Sequence, residues 1–176
     1  CDINNCNAYN NLSTTLAAGE KLWLADGRKL DKKQLYVEAI RCDINDSCAY
    51  INLGNVLAAG EKVRLADGRE LDKKQLFVEA LRLRTDEPYL VHIGLDLLPD
   101  DTLTLADGRV QTPRELLVEA VRLSADTRKN GGLIALAITL LPGEQVALAD
   151  GRSMDSKQLL REAFTQDFDT EDWLRS

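Results

Sequence analysis

The sequence predicts an all-α fold: an α-solenoid of helix–loop–helix repeats, with a short β-hairpin or loop inserted between the two helices of each repeat. Three observations predict it. The string Leu-Ala-Asp-Gly-Arg begins at Leu24, Leu65, Leu105 and Leu148, at spacings of 41, 40 and 43 residues. A related segment follows each occurrence: DKKQLYVEAIR from Asp31, DKKQLFVEALR from Asp72, TPRELLVEAVR from Thr112 and DSKQLLREAFT from Asp155. Another precedes it, AYNNLSTTLAAGE from Ala8 and AYINLGNVLAAGE from Ala49, with looser counterparts from Tyr89 and Gly132. Self-similarity at one period over nearly the whole chain is the signature of a repeat array. The copies span about 1–41, 42–82, 83–124 and 125–166, which leaves 167–176 as a C-terminal cap or tail.

Each copy reads as two helices. Tyr9, Leu12 and Leu16 fall at i, i+3 and i+7, one face of a first helix. Leu35, Tyr36, Ala39 and Ile40 form a broader apolar stripe on a second, with Lys32, Lys33, Glu38 and Arg41 outside it. Asp31, Asp72, Thr112 and Asp155 stand where an N-cap belongs, and Pro113 suits the first helical position after Thr112. Helices of about twelve residues are marginal alone, so packing between copies has to stabilise them. Between the helices, Val63 and Leu65 alternate with charged residues, Asp67-Gly68 supplies a turn and Leu71 returns. That pattern predicts a small hairpin whose apolar residues cover the helix ends.

Composition is consistent with this plan. The chain has 176 residues, 44% of them apolar, but only 5% aromatic, which favours many small Leu, Ala and Val contacts over one large core. A net charge of −7 speaks against a nucleic-acid partner, since little here would displace counterions from phosphates. The longest apolar run, Gly131 to Leu141, is interrupted by Thr139 and closed by Pro142, well short of a membrane span. No secretory signal is visible, and the chain opens at Cys1, inside a repeat, which reads as a segment of something longer. Charge shifts along the array: residues 1–82 hold 12 basic and 12 acidic side chains, residues 83–176 hold 10 and 17. The acidic tail carrying Trp173 reads as a capping helix from Thr170, or as the start of a further segment.

Few residues invite chemistry. His92 is the sole histidine, and no nucleophile–base set, phosphate loop or metalloprotease pattern accompanies it. Carboxylates recur in every copy as caps and exposed positions, whereas a catalytic pair would be unique. No enzymatic activity, cofactor or metal is expected. Cys6, Cys42 and Cys48 fall on one edge of the array, because the start of a first helix adjoins the end of a second. Cys1 and Cys42 are equivalent positions one repeat apart, roughly 10 Å, too far for a disulfide. The spacings also miss the usual zinc pairing. Reduced structural thiols and a reducing compartment, such as the cytoplasm, are the expectation.

The helix residues resemble the tetratricopeptide repeat. Tyr50-x-x-Leu53-Gly54 with Phe77-x-x-Ala80 carries the likeness in the second copy, and Tyr9, Leu12, Ser13, Tyr36 and Ala39 in the first. It continues as Leu90, Ile93, Gly94, Leu117 and Ala120, then Leu133, Leu136, Ala137, Leu160 and Ala163. The period is longer than the ~34 residues of ordinary members, and Ile44, Thr85 and Ala125 replace the usual closing proline. The chain is therefore similar to the longer, roughly 42-residue class; Sel1-like repeats match in length but lack their aromatic-Gly pattern here. The resemblance implies a right-handed superhelix whose first helices line a concave groove for a peptide or partner helix. Its groove positions correspond to Asn10, Asn11 and Thr14; Ile51, Asn52 and Asn55; Val91, His92 and Leu95; and Ile134, Ala135 and Ile138. Asn10, Asn11, Asn52, Asn55 and His92 are the expected partner contacts, with Asn11 and Asn52 as rungs for peptide backbone. The alternative is that the asparagines are merely solvated and the apolar half is core. The expected function is a scaffold for protein–protein interaction, with no nucleic-acid or membrane partner and with solenoid ends that can self-associate. An architectural spacer beside a domain outside this segment is the competing reading.

Overall fold

A computed structural model describes residues 6–124 and 130–167. Among them are eight helices and four two-stranded antiparallel hairpins, in a helix–hairpin–helix order that recurs four times. The chain divides into two compact units, Cys1–Arg84 and Thr85–Ser176. The first holds α1 (Cys6–Thr15), β1 (Lys21–Trp23), β2 (Lys29–Asp31), α2 (Lys32–Cys42), α3 (Ser47–Val56), β3 (Lys62–Arg64), β4 (Glu70–Asp72) and α4 (Lys73–Leu83). The second holds α5 (Glu87–Asp96), β5 (Leu103–Thr104), β6 (Val110–Gln111), α6 (Pro113–Ser124), α7 (Gly131–Thr139), β7 (Gln145–Ala147), β8 (Ser153–Asp155) and α8 (Ser156–Asp167). The cap expected from Thr170 onward, Cys1 and Ala125 lie outside the described residues.

The second helices begin as the sequence predicts, and more firmly. Asp31 accepts a hydrogen bond from the Gln34 backbone, and the Gln34 side chain reaches back to the Asp31 amide, a capping box. Asp72 with Gln75, Thr112 with Glu115 and Asp155 with Gln158 repeat the exchange. The expected apolar stripe is the buried one: Leu35, Tyr36, Ala39 and Ile40 are all inside, as are Leu76, Phe77, Ala80 and Leu81. In each unit the helices pack in chain order, α1 on α2, α2 on α3 and α3 on α4, then α5 on α6, α6 on α7 and α7 on α8.

Within a pair, first helix meets second where the first carries a small residue. A Cβ built on Gly54 would lie 2.7 Å from the Phe77 ring, and one on Gly94 would lie 2.8 Å from Leu117 and 3.1 Å from the Pro113 carbonyl oxygen. Ser13 and Ala137 occupy the equivalent positions and are fully buried. On the facing helices Ala39, Ala80, Ala120 and Ala163 have no exposed surface at all.

The inter-helix segments are hairpins. Val63 pairs with Leu71 across β3 and β4, and Leu65 and Leu71 are buried while Lys62, Arg64 and Glu70 are exposed. Gly68 turns the chain at φ +88°, a left-handed conformation that glycine enters without strain, and Gly27, Gly108 and Gly151 do the same. In the first two copies the arginine that closes the recurring string fastens the hairpin to both helices. Arg69 bonds the turn carboxylate of Asp67 (2.7 Å), Glu79 on α4 (3.0 Å) and the Tyr50 hydroxyl on α3 (3.4 Å). Arg28 makes the same three contacts with Asp26, Glu38 and Tyr9. Leu90 and Leu133 replace the tyrosine later; Arg109 keeps Asp107 and Arg152 keeps both Asp150 and Glu162. Neighbouring copies are joined by Lys33–Glu61 in the first unit and Arg114–Glu144 in the second, each at 2.6 Å.

Two outcomes follow from this packing. Ala80→Leu should overpack the α3/α4 contact and lower the unfolding free energy by about 1–3 kcal/mol, read by urea titration. The second concerns acid. Backbone and side-chain bonds from the arginines hold Asp26, Asp67, Asp107 and Asp150 below the ordinary 3.8, and Lys33, with the Ala58 amide, lowers Glu61 below 4.5. A carboxylate whose folded pKa is depressed stabilises the fold above its unfolded pKa and loses that contribution as pH falls through the folded value. The melting temperature should therefore be flat from about pH 8 to 5 and fall below about pH 4, with less of a fall in high salt.

Candidate functional site

The expected contacts all stand on first helices. Asn10 and Asn11 lie on α1, Asn52 and Asn55 on α3, all in the first unit; His92 lies on α5 in the second. Asn11, Asn55 and His92 are exposed, whereas Asn10 and Asn52 are half-buried. Two of them are joined to each other. The Asn52 amide donates to the Asn10 carboxamide oxygen at 3.0 Å, a bond that links the two neighbouring copies. Two other expected groove positions, Ile51 and Ala135, are core residues, 7% and 3% exposed. The position five after the tyrosine is exposed in every copy: Thr14, Asn55, Leu95 and Ile138.

In the second unit the first-helix face is apolar. α5 packs beside α7, and the buried carboxylate of Glu87 at the start of α5 accepts a hydrogen bond from the Gly132 amide (3.1 Å) at the start of α7. This caps α7 from outside, since its own N-cap, Asn130, makes no side-chain cap bond. It also sets the two helices side by side in the same direction. A Cβ on Gly131 would crowd the Glu87 carboxylate, which would have to shift to admit it.

Along this face Leu95 (45%), Ile138 (66%), Leu98 (70%) and Leu141 (72%) are exposed, with Ile134 beside them. A groove of about 560 Å³ opens among the end of α5, the start of α6 and the end of α7, lined by Leu95, Leu97, Pro99, Pro113, Leu117 and Thr139. Exposed Asp96 and Asp100 lie at the end of α5, and Arg114 there is paired with Glu144. Leu98 and Leu141 were not expected in a site, yet the sequence carries a signal for them. Where the first two copies read Leu-Ala-Ala-Gly from Leu16 and Leu57, the last two read Leu-Leu-Pro from Leu97 and Leu140.

Among the described residues no cluster of three His, Cys, Asp or Glu is placed to hold a metal ion, and no helix is long and apolar enough to cross a membrane. No protein-family model matches the chain, and neither the curated proteins nor the solved structures contain one significantly similar to it.

Proposed function

We propose that the chain is a non-catalytic scaffold of the tetratricopeptide-like class, holding a peptide or partner helix on the faces of its first helices. The observation that carries this reading is the exposed apolar strip of Leu95, Leu98, Ile134, Ile138 and Leu141 in the second unit. Large apolar side chains scattered singly need no explanation, but grouped on two adjacent helices and the turns that follow them, beside a groove, they mark a surface that another molecule covers. Ile134 and Ile138 stand at i and i+4 on α7 and share one face of it, and Leu141 is exposed just beyond the end of that helix. A partner with a similar apolar face, an amphipathic helix, would bury them. The exposed amides of Asn11 and Asn55 offer the first unit's face a different chemistry, donors and acceptors suited to peptide backbone. Asn52 contributes mainly by fixing Asn10.

The test is an interaction partner recovered by pull-down and titrated by calorimetry against the parent and the Ile138→Asp, Leu141→Asp double variant. Each lost apolar contact is worth about 1.5–3 kcal/mol when fully buried, so affinity should drop at least about tenfold. The melting temperature should stay near that of the parent, because both side chains are already exposed. Equal affinity in the folded double variant would place the binding surface elsewhere and overturn the assignment of this strip.

A further inference from the structure

The first copy differs from the others at one end of its helix pair. α1 begins at Cys6 and α2 ends at Cys42. The two helices pack together, and the hairpin between them reverses the chain, so the start of one lies beside the end of the other. This places Cys6 and Cys42 at the same end of the helix pair, close enough for each thiol to feel the other. Both are half-buried, and so reachable by a small reagent. The equivalent positions are Ser47 and Leu83 in the second copy and Glu87 and Leu123 in the third. The pairing therefore belongs to this copy and does not follow from the repeat. Cys48 is exposed at the start of α3, and among the described residues no cluster of three His, Cys, Asp or Glu is placed to hold a metal ion.

We propose that Cys6 and Cys42 are a disulfide-forming pair that closes on reaction with a small oxidised disulfide such as oxidised glutathione, fastening the ends of the first helix pair. Burial, and then the neighbouring Cys6, hold the Cys42 thiol above its ordinary 9.0. The raised Cys42 thiol gives up its proton less readily, so it is assigned the second, ring-closing step and Cys6 the first attack. Cys6 gives its proton to solvent, and its sulfur attacks one sulfur of oxidised glutathione. The glutathione S–S bond breaks, and one glutathione leaves as a thiolate that takes up a proton. Cys42 then loses its proton, attacks the Cys6 sulfur of the mixed disulfide and expels the second glutathione. Two protein thiols have lost two electrons and two protons, which appear on two molecules of reduced glutathione. The new bond ties residues that are 36 apart in sequence, which restricts the unfolded chain more than the folded one.

The test uses the whole chain with Cys1→Ser and Cys48→Ser, incubated folded with oxidised glutathione and mapped by mass spectrometry without reduction. The expected result is loss of two hydrogen masses, a single peptide cross-link between Cys6 and Cys42, and a melting temperature raised by about 5–10 °C. Dithiothreitol should reverse all three. A further Cys6→Ser change should leave Cys42 uncross-linked and the melt insensitive to glutathione. Persistent glutathione adducts on either cysteine without ring closure, no reaction at all, or a cross-linked form that melts lower than the reduced one would each overturn the proposal.

Discussion

At Gly54 helix α3 has no side chain, and the ring of Phe77 on α4 fills the space where one would stand, 2.7 Å from a built Cβ. The rest of the copy depends on this approach. A ten-residue helix such as α3 is too short to persist in water, so it exists because one face is covered, and the cover is close only where side-chain volume is withheld. Gly94 over Leu117 repeats the arrangement in the third copy, with a carbonyl oxygen also in the way. Ser13 and Ala137 show that one or two heavy atoms can be admitted in the first and fourth. The fully buried alanines of the second helices keep the same contact thin from the other side.

With the pair docked, the hairpin has a fixed base to sit on. Its buried Leu65 and Leu71 close the side of the pair, while Arg69 reaches from the turn to α3 and α4 together. Exposed ion pairs of this kind contribute little each, of the order of 0–1 kcal/mol. Their value lies in direction: a planar guanidinium satisfied by a turn carboxylate, a helix carboxylate and a phenol holds the hairpin at one angle. That accounts for Leu-Ala-Asp-Gly-Arg recurring as a unit, with leucine for burial, Asp-Gly for the turn and arginine for the tie. The surface left over is then what the copies are free to vary: amides on α1 and α3, leucines and isoleucines on α5 and α7.

Much of this was legible in the sequence. The recurring strings located every copy, the 3.6-residue stripes of the second helices gave their buried faces, and the alternation around Asp67-Gly68 gave the hairpins. What stayed hidden depends on contacts between distant residues. Glu87 reads as an ordinary acid in a first turn, but it caps a helix 45 residues away. Asn52 reads as the counterpart of Asn11, but its hydrogen-bond partner is Asn10, 42 residues before it. Ile51 and Ala135 share their positions with exposed side chains in other copies, and only the packing of the next helix decides which are covered. The Leu-Leu-Pro substitutions at the ends of α5 and α7 were visible, but their meaning required knowing that those two helices lie side by side.

The measurement that tests the central claim most directly is a double-mutant cycle between Gly54→Ala and Phe77→Ala, read as urea unfolding of all four forms. If the withheld Cβ is what lets α3 approach α4, Gly54→Ala should cost about 1–3 kcal/mol while the ring is present. Once Phe77 is removed, the same change should become stabilising by about 0.5–1 kcal/mol, the ordinary preference of a helix for alanine over glycine. An effect of Gly54→Ala that is the same with and without the ring would contradict the account.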